Sequence, residues 1–160
     1  MTAGFHQIAA TVLPELLALN TAHATETGPL DETKLALMVS KAFCARTNEA
    51  RTALLIAFDQ AAAYDSPNFL WFRARYPRFV YVDRIIVAAA ARGKGIARAL
   101  YAELFAAAIA AGHTLIACEV NRLPPNPRSD AFHAALGFDE AGRGSPSPGK
   151  EVRYLTKELG

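Results

Sequence analysis

The chain has 160 residues, 52% of them hydrophobic and 20% charged, with a formal net charge of +2. That length suits one domain over residues 1–160 with a core of its own, and the charge is too small for a field that would hold nucleic acid. No run approaches the roughly 18 apolar residues of a membrane span, and Met1-Thr2-Ala3-Gly4-Phe5-His6 lacks a basic segment leading into an apolar one, so a cytoplasmic protein without membrane attachment is expected.

Residues 12–19 read as a first helix with Thr11 capping and Pro14 early, and Asp31 opens a second helix through about Ala42. Phe43 to Thr47 and Arg51 to Asp59 are short apolar runs around a turn at Asn48-Glu49-Ala50, which predicts a hairpin. Ala61 to Pro77 reads as a polar and aromatic loop. Arg78 to Val87 is the strongest strand, and it leads into a long helix from about Gly93 to Ala111 with Ile96, Leu100, Leu104 and Ala108 on one stripe. Thr114 to Val120 is the next strand and Pro127 to Leu136 a shorter helix stopped by Gly137. Phe138 to Arg143 and Glu151 to Glu158 close as strands around residues 144–149. A hairpin followed by alternating strands and helices predicts an α/β fold, a mixed sheet covered by helices. Cys44 and Cys118 stand alone in apolar stretches without ligand spacing and read as buried thiols, so neither a disulfide nor a metal site is expected.

The segment Arg92-Gly93-Lys94-Gly95-Ile96-Ala97-Arg98 carries three cations and no acid at the start of the long helix. The macrodipole already places roughly half a positive charge there, so the arrangement calls for an anion. Glycines at 93 and 95 clear side chains from the free backbone N–H groups, the recipe for a phosphate cradle. A Gly-x-x-x-x-Gly-Lys-Ser/Thr loop is absent, and a Gly-x-Gly-x-x-Gly beginning at Gly93 meets Arg98 where its third glycine belongs. Nucleotide hydrolysis and dinucleotide binding therefore fit poorly.

Val87 followed by Arg92-Gly93-Lys94-Gly95-Ile96-Ala97 resembles the Arg/Gln-x-x-Gly-x-Gly/Ala signature of the GCN5-related N-acetyltransferase (GNAT) superfamily. Asn126-Pro127-Arg128-Ser129-Asp130-Ala131-Phe132-His133-Ala134-Ala135-Leu136-Gly137-Phe138 is similar to its second signature, in the family's order. The resemblance spans about residues 80–138. It implies a mostly antiparallel, V-splayed sheet of six to seven strands flanked by about four helices, and an activity that transfers an acetyl group from acetyl-CoA (coenzyme A) to an amine. It also implies that main-chain groups of Ile85, Ile86 and Val87 hold pantetheine, that residues Arg92, Gly93, Lys94, Gly95, Ile96, Ala97 and Arg98 hold the pyrophosphate, and that Asn126 and Ser129 touch the cofactor from the far side.

Acyl transfer to an amine needs a base, because only the neutral amine has a lone pair, and gains from an acid that protonates the departing thiolate. Glu119, near the end of its strand, occupies the acidic place of a Glu-Val pair similar to that of ribosomal-protein N-terminal acetyltransferases and is the first candidate base; an ion pair with Arg122 is the alternative. Asp83 is the second candidate. The period of two puts it on one face with Tyr81, Ile85 and Val87, and the resemblance places the base of other members at Tyr81 or Asp83; its alternative is an ion pair with Arg84 of a neighbouring strand or with Arg73. The family's usual acid is a tyrosine, and His133 stands in that place, as a proton donor or as a residue bonded to cofactor or backbone. Asn126 before Pro127 is also a good helix cap. His6, His23 and His113 have no companions and receive no role. Tyr64 to Phe72 is an aromatic loop that can build an acceptor pocket, with Tyr64, Asn68 and Trp71, together with Tyr81 and Glu119, as candidate substrate contacts. The partner is then a small-molecule or peptide amine, a homodimer staying open. The competing reading is a non-catalytic acyl-CoA-binding module of the same fold.

Overall fold

A computed structural model describes residues 4–160, the side chains of residues 25 and 26 excepted; Met1-Thr2-Ala3, part of the segment read above for a leader, lie outside them. The described residues form β1 (Phe5–Gln7), α1 (Leu13–Ala22), α2 (Ala24–Thr27), α3 (Glu32–Lys41), β2 (Cys44–Asn48), β3 (Ala53–Asp59), α4 (Pro67–Arg73), β4 (Val80–Val87), α5 (Ile96–Ala110), β5 (Leu115–Leu123), α6 (Pro127–Ala135), β6 (Asp139–Ser147) and β7 (Lys150–Glu158). Short 3-10 turns precede α1 and α5. All seven strands join one sheet in the order β1-β2-β3-β4-β5-β7-β6.

Each neighbouring pair is antiparallel except β4 and β5, which run parallel and pair only at Val80 with Ile116 and Tyr81 with Ala117. Beyond that register the two strands part, leaving a wedge between the last six residues of β4 and the second half of β5. The mixed, mostly antiparallel, splayed sheet is thus the observed architecture.

The central strands β3 and β4 are buried on both faces. Leu54, Ile56, Phe58 and Tyr81 pack with α1, α3 and α4 on one face, while Leu55, Ala57, Val80 and Val82 pack with Leu100, Leu104 and Ala108 of α5 on the other. The predicted apolar stripe of the long helix is therefore what seats it on the sheet. Asp31 caps α3, its carboxylate accepting from the Lys34 amide at 2.7 Å. The hairpin between β2 and β3 is held by Asn48, whose Oδ1 accepts from the amides of Thr52 and Ala53.

Several local expectations change. Thr11 does not cap α1, because a 3-10 turn over Ala10–Val12 runs directly into the helix. Within the aromatic loop, Pro67 starts α4, a helix that buries Phe69 and Phe72. The long helix begins at Ile96, since Gly95 is in the left-handed conformation, φ +77°, and Arg92 to Lys94 belong to the turn before it. The last two strands run on to a tight turn at Pro148-Gly149, Ser147 pairing with Lys150, where a six-residue loop was expected.

One irregularity governs the site. The register of β3 on β4 slips between Ile56 and Ala57, which face Arg84 and Val82, so β4 carries an extra residue at Asp83. A bulge of this kind reverses the alternation beyond it. Tyr81 shares a core with Ile86, and Ile85 and Val87 turn to the opposite side, so the single face predicted for Tyr81, Asp83, Ile85 and Val87 does not exist.

Candidate active site

The wedge between β4 and β5 opens into two cavities. The first, about 1040 Å³, lies between the end of β4, the turn before α5 and the start of α6. Ile85, Ile86, Val87, Arg92, Gly93, Gly95, Ile96, Ala97, Arg98, Asn126, Ser129 and His133 all line it; Lys94, also expected there, does not. The first intrahelical bond of α5 runs from the Ala99 amide to the Gly95 carbonyl, so the amides of Ile96, Ala97 and Arg98 have no partner within the helix. No acid stands in that first turn. Gly93 and Gly95 have φ of +80° and +77°, which side-chain-bearing residues rarely adopt, and a Cβ at either would meet nothing within 4 Å. The turn is closed by Arg92, whose Nε donates to the Val87 carbonyl at 3.3 Å. Cations, amides unbonded within the helix and a cleared approach give this end of the cavity the features that suit an anion.

The second cavity, about 610 Å³, sits under α4 and the β6–β7 turn. Glu119, Asp83, Tyr64 and Asn68 line it, and it shares Thr27, Ile85, Asn126, Ser129 and His133 with the first. The two cavities therefore meet where the strands diverge.

Glu119 lines the second cavity and is held there by two side chains. Asn68 Nδ2 donates to its Oε1 at 2.9 Å, and the Tyr81 hydroxyl lies 2.8 Å from both carboxylate oxygens. Tyr154 donates to Asn68 Oδ1 at 2.9 Å, which turns the amide so that its NH₂ faces the carboxylate. Burial, with the Asp83 charge as a second cause, pushes the Glu119 pKa from near 4.5 to about 7, while the bonds from Tyr81 and Asn68 pull it down. Arg122 pairs with Glu151 and not with Glu119.

Asp83 is held differently. Arg84 Nε lies 2.7 Å from its Oδ2, and Tyr64 donates to its other oxygen. The ion pair with Arg84 is present, but between adjacent residues of β4 at the bulge and not across neighbouring strands as expected. Arg84 also donates to Asn20 Oδ1 on α1 at 2.6 Å.

His133 is buried, 4% exposed, inside a cage of Tyr101, Phe132 and Phe138. Its Nδ1 lies 2.8 Å from the Ser129 carbonyl, which only accepts, so Nδ1 carries the proton and Nε2 accepts from the Tyr101 hydroxyl at 2.7 Å. Burial lowers its pKa below the ordinary value. Asn126 caps α6 as expected, accepting from the Ser129 amide.

Two further candidates fall outside the cavities. Trp71 lines neither; it stacks on Tyr154 at 4.1 Å with the Arg75 guanidinium over its other face. It also lies where a side chain at Gly142 would reach it within 2.6 Å. Tyr81 is fully buried and reaches the site only through Glu119. Sequence reasoning missed Tyr154, Tyr101 and Asn20, and it gave no role to His23, which lines the first cavity beside Thr27. A tyrosine in the middle of a core strand was the available signal for Tyr154; no local pattern points to the α1–α2 residues.

A model of the acetyltransferase (GNAT) family matches residues 37–138, and the chain belongs to that family. Among solved structures it is similar to the ribosomal-protein-S18-alanine N-acetyltransferase of Escherichia coli, at 16% identity and a TM-score of 0.72, with 99% of this chain and 94% of that one covered. It is likewise similar to a phosphinothricin acetyltransferase from Sinorhizobium meliloti in complex with acetyl-CoA, at 22% identity and 0.71 over 100% and 90%. A third likeness is to YncA of Salmonella typhimurium with its cofactor acetyl-CoA, at 14% identity and 0.71 over 100% and 95%. At these identities the likeness is one of fold. No curated protein sequence matches significantly. Among the described residues no helix is long and apolar enough to cross a membrane, and no group of three metal-ligating side chains occurs.

Proposed function

We propose that the protein is an acetyl-CoA-dependent N-acetyltransferase acting as one domain, which passes the acetyl group directly to a primary amine. The observation that carries this reading is Glu119, a half-buried carboxylate with a pKa raised to about 7, lining the second cavity, which shares five residues with the anion-ready cleft. The phosphates of the donor would lie at the amides of Ile96, Ala97 and Arg98 with Arg92 and Arg98 beside them, and its arm would follow Ile85 to Val87 along the unpaired edge of β4. Bound there, acetyl-CoA supplies an activated acyl group.

The chain's own residues do the proton work. Glu119 is the base: its pKa of about 7 makes it half ionised at neutral pH, and the carboxylate takes a proton from the incoming ammonium. Tyr81 and Asn68 hold the carboxylate toward the cavity, and Tyr154 holds Asn68. Asp83, whose oxygens are taken by Arg84 and Tyr64, is its electrostatic neighbour, not a second base. His133 is read here as a post, not a proton donor, because its one ring proton is spent on the Ser129 carbonyl. A non-catalytic acyl-CoA-binding module draws support from that same engaged histidine, but a module of that kind has no use for a carboxylate poised near pH 7.

Two measurements test the reading together. Calorimetry should show acetyl-CoA binding, and a thiol-release assay over a panel of amines, amino acids and peptide N-termini should show turnover. Absence of binding at millimolar acetyl-CoA would overturn the proposal, and binding without turnover of any amine would favour the non-catalytic module.

A further inference from the structure

The second cavity has a cationic feature that base catalysis does not use. Arg84 is 7% exposed and lines this cavity. Its Nε is taken by Asp83 and one N–H of Nη1 by Asn20 Oδ1, which is itself fixed because Asn20 Nδ2 donates to the Gly28 carbonyl. Among the described residues the guanidinium's hydrogen-bond partners are these two, both through Nε and Nη1, and Arg84 lines the cavity. A guanidinium anchored at two corners presents its remaining N–H groups as a rigid fork, the shape that matches a carboxylate at two points.

The other charged groups facing the cavity allow an anion there. Asp83 is committed to Arg84 and Tyr64, Asp65 is exposed at the rim, and Glu119 is raised toward neutrality. Lys34 of α3 and Lys150 at the β6–β7 turn also line the cavity and take part in no ion pair among the described residues. Glu119 is anchored to Tyr81, three residues before Arg84 on β4, so base and fork are offset by roughly 10 Å of strand at about 3.3 Å per residue. Both groups line this one cavity, of about 610 Å³, so a single small molecule can meet the two.

We infer that the acceptor is an amino carboxylate, a small amine whose carboxylate docks on the free edge of Arg84 while its amine faces Glu119. This rests on the acetyltransferase reading and names its substrate class. A site with a buried donor fork rejects an analogue that leaves the fork empty, because those donors are already stripped of bulk water.

The test compares matched acceptors that differ only in the carboxylate, such as leucine with isopentylamine, phenylalanine with phenethylamine, and β-alanine with ethylamine, by thiol release with acetyl-CoA. At least one acid should exceed its amine by roughly 100-fold or more in kcat/KM, a ratio in the range that unpaired buried donors impose. Arg84→Lys and Arg84→Gln should bring the ratio of the pair toward one with acetyl-CoA affinity by calorimetry unchanged. Arg84→Gln alone strands Asp83, so Asp83→Asn/Arg84→Gln, which removes both charges, serves where the single variant does not fold. The ratio cancels any common loss of turnover. Equal rates for acids and amines, turnover confined to amines without a carboxylate, an unchanged ratio in the Arg84 variants, or acetyl-CoA binding with no acid accepted would each overturn the inference. Failure to bind acetyl-CoA at all would instead remove the reading beneath it.

Discussion

Replacing Glu119 with glutamine separates catalysis from architecture more cleanly than any other change at this site. Oε1 accepts from both Asn68 and Tyr81, and Oε2 from Tyr81 alone. A glutamine that keeps its carbonyl oxygen at the Oε1 place retains both donors and gives up only the second branch of the tyrosine bond. The fold should therefore tolerate it. The carboxylate it replaces is costly to bury: a rise from near 4.5 to about 7 corresponds to an upper bound of about 3.5 kcal/mol at 1.36 kcal/mol per unit. The raised folded-state pKa means that wild type is most stable below the unfolded value and loses that stability as pH climbs through about 7. Glu119→Gln should thus match wild type near pH 4.5 and melt up to about 5–10 °C higher at pH 8 to 9. Over the same range its kcat should fall about 100- to 10,000-fold, the span covered by a general base. Wild-type kcat/KM should rise with an apparent pKa of about 7 that the variant lacks, while acetyl-CoA affinity stays constant. Thiol release and thermal melts across pH measure both arms. Full activity in Glu119→Gln, with loss in Asp83→Asn, would refute the assignment and move the base to the bulge.

The Tyr154–Asn68 arm tunes the same group. Because the Asn68 bond lowers the Glu119 pKa, Asn68→Ala and, more weakly, Tyr154→Phe should shift the rising limb of kcat/KM to higher pH; a limb that stays in place would show that the amide does not act on the carboxylate. At the cradle, Gly95→Val forces a β-branched residue into φ +77° and adds bulk where the donor phosphates would lie. It should weaken acetyl-CoA binding by at least about tenfold, in line with a left-handed cost of roughly 1–2 kcal/mol alone, and unaltered affinity would place the phosphates elsewhere. For the histidine, His133→Ala should lower the melting temperature by emptying a buried cage, with the shape of the pH–rate profile retained; loss of a falling alkaline limb would restore His133 as a proton donor.

The segment from Arg92 to Arg98 was legible as an anion site because its meaning is local: glycines at set places, cations without acids and a helix start lie within seven residues of chain. The same holds for Asn126 with Pro127 as the cap of α6, for Asp31 as the cap of α3 and for the buried stripe of α5, each written in a period of one or two turns. The two signatures in order were enough for the family, and with it the splayed sheet. What the tertiary structure alone decided is the role of each side chain at the wedge. The bulge at Asp83 comes from a register slip against β3, which no reading of β4 by itself contains, and it reversed the expected faces of the strand. Glu119 and Asp83 rank first and second as base from sequence; in space they differ because Tyr81 and Asn68, 38 and 51 residues away, hold one in the cavity while Arg84 and Tyr64 pair with the other. Trp71 read as a substrate contact, and it left the cavity because Gly142, on a distant strand, makes room for its ring against Tyr154. Desolvation and partnership depend on which elements converge in space, and so the chemistry of a shared carboxylate site is settled by packing that local sequence does not encode.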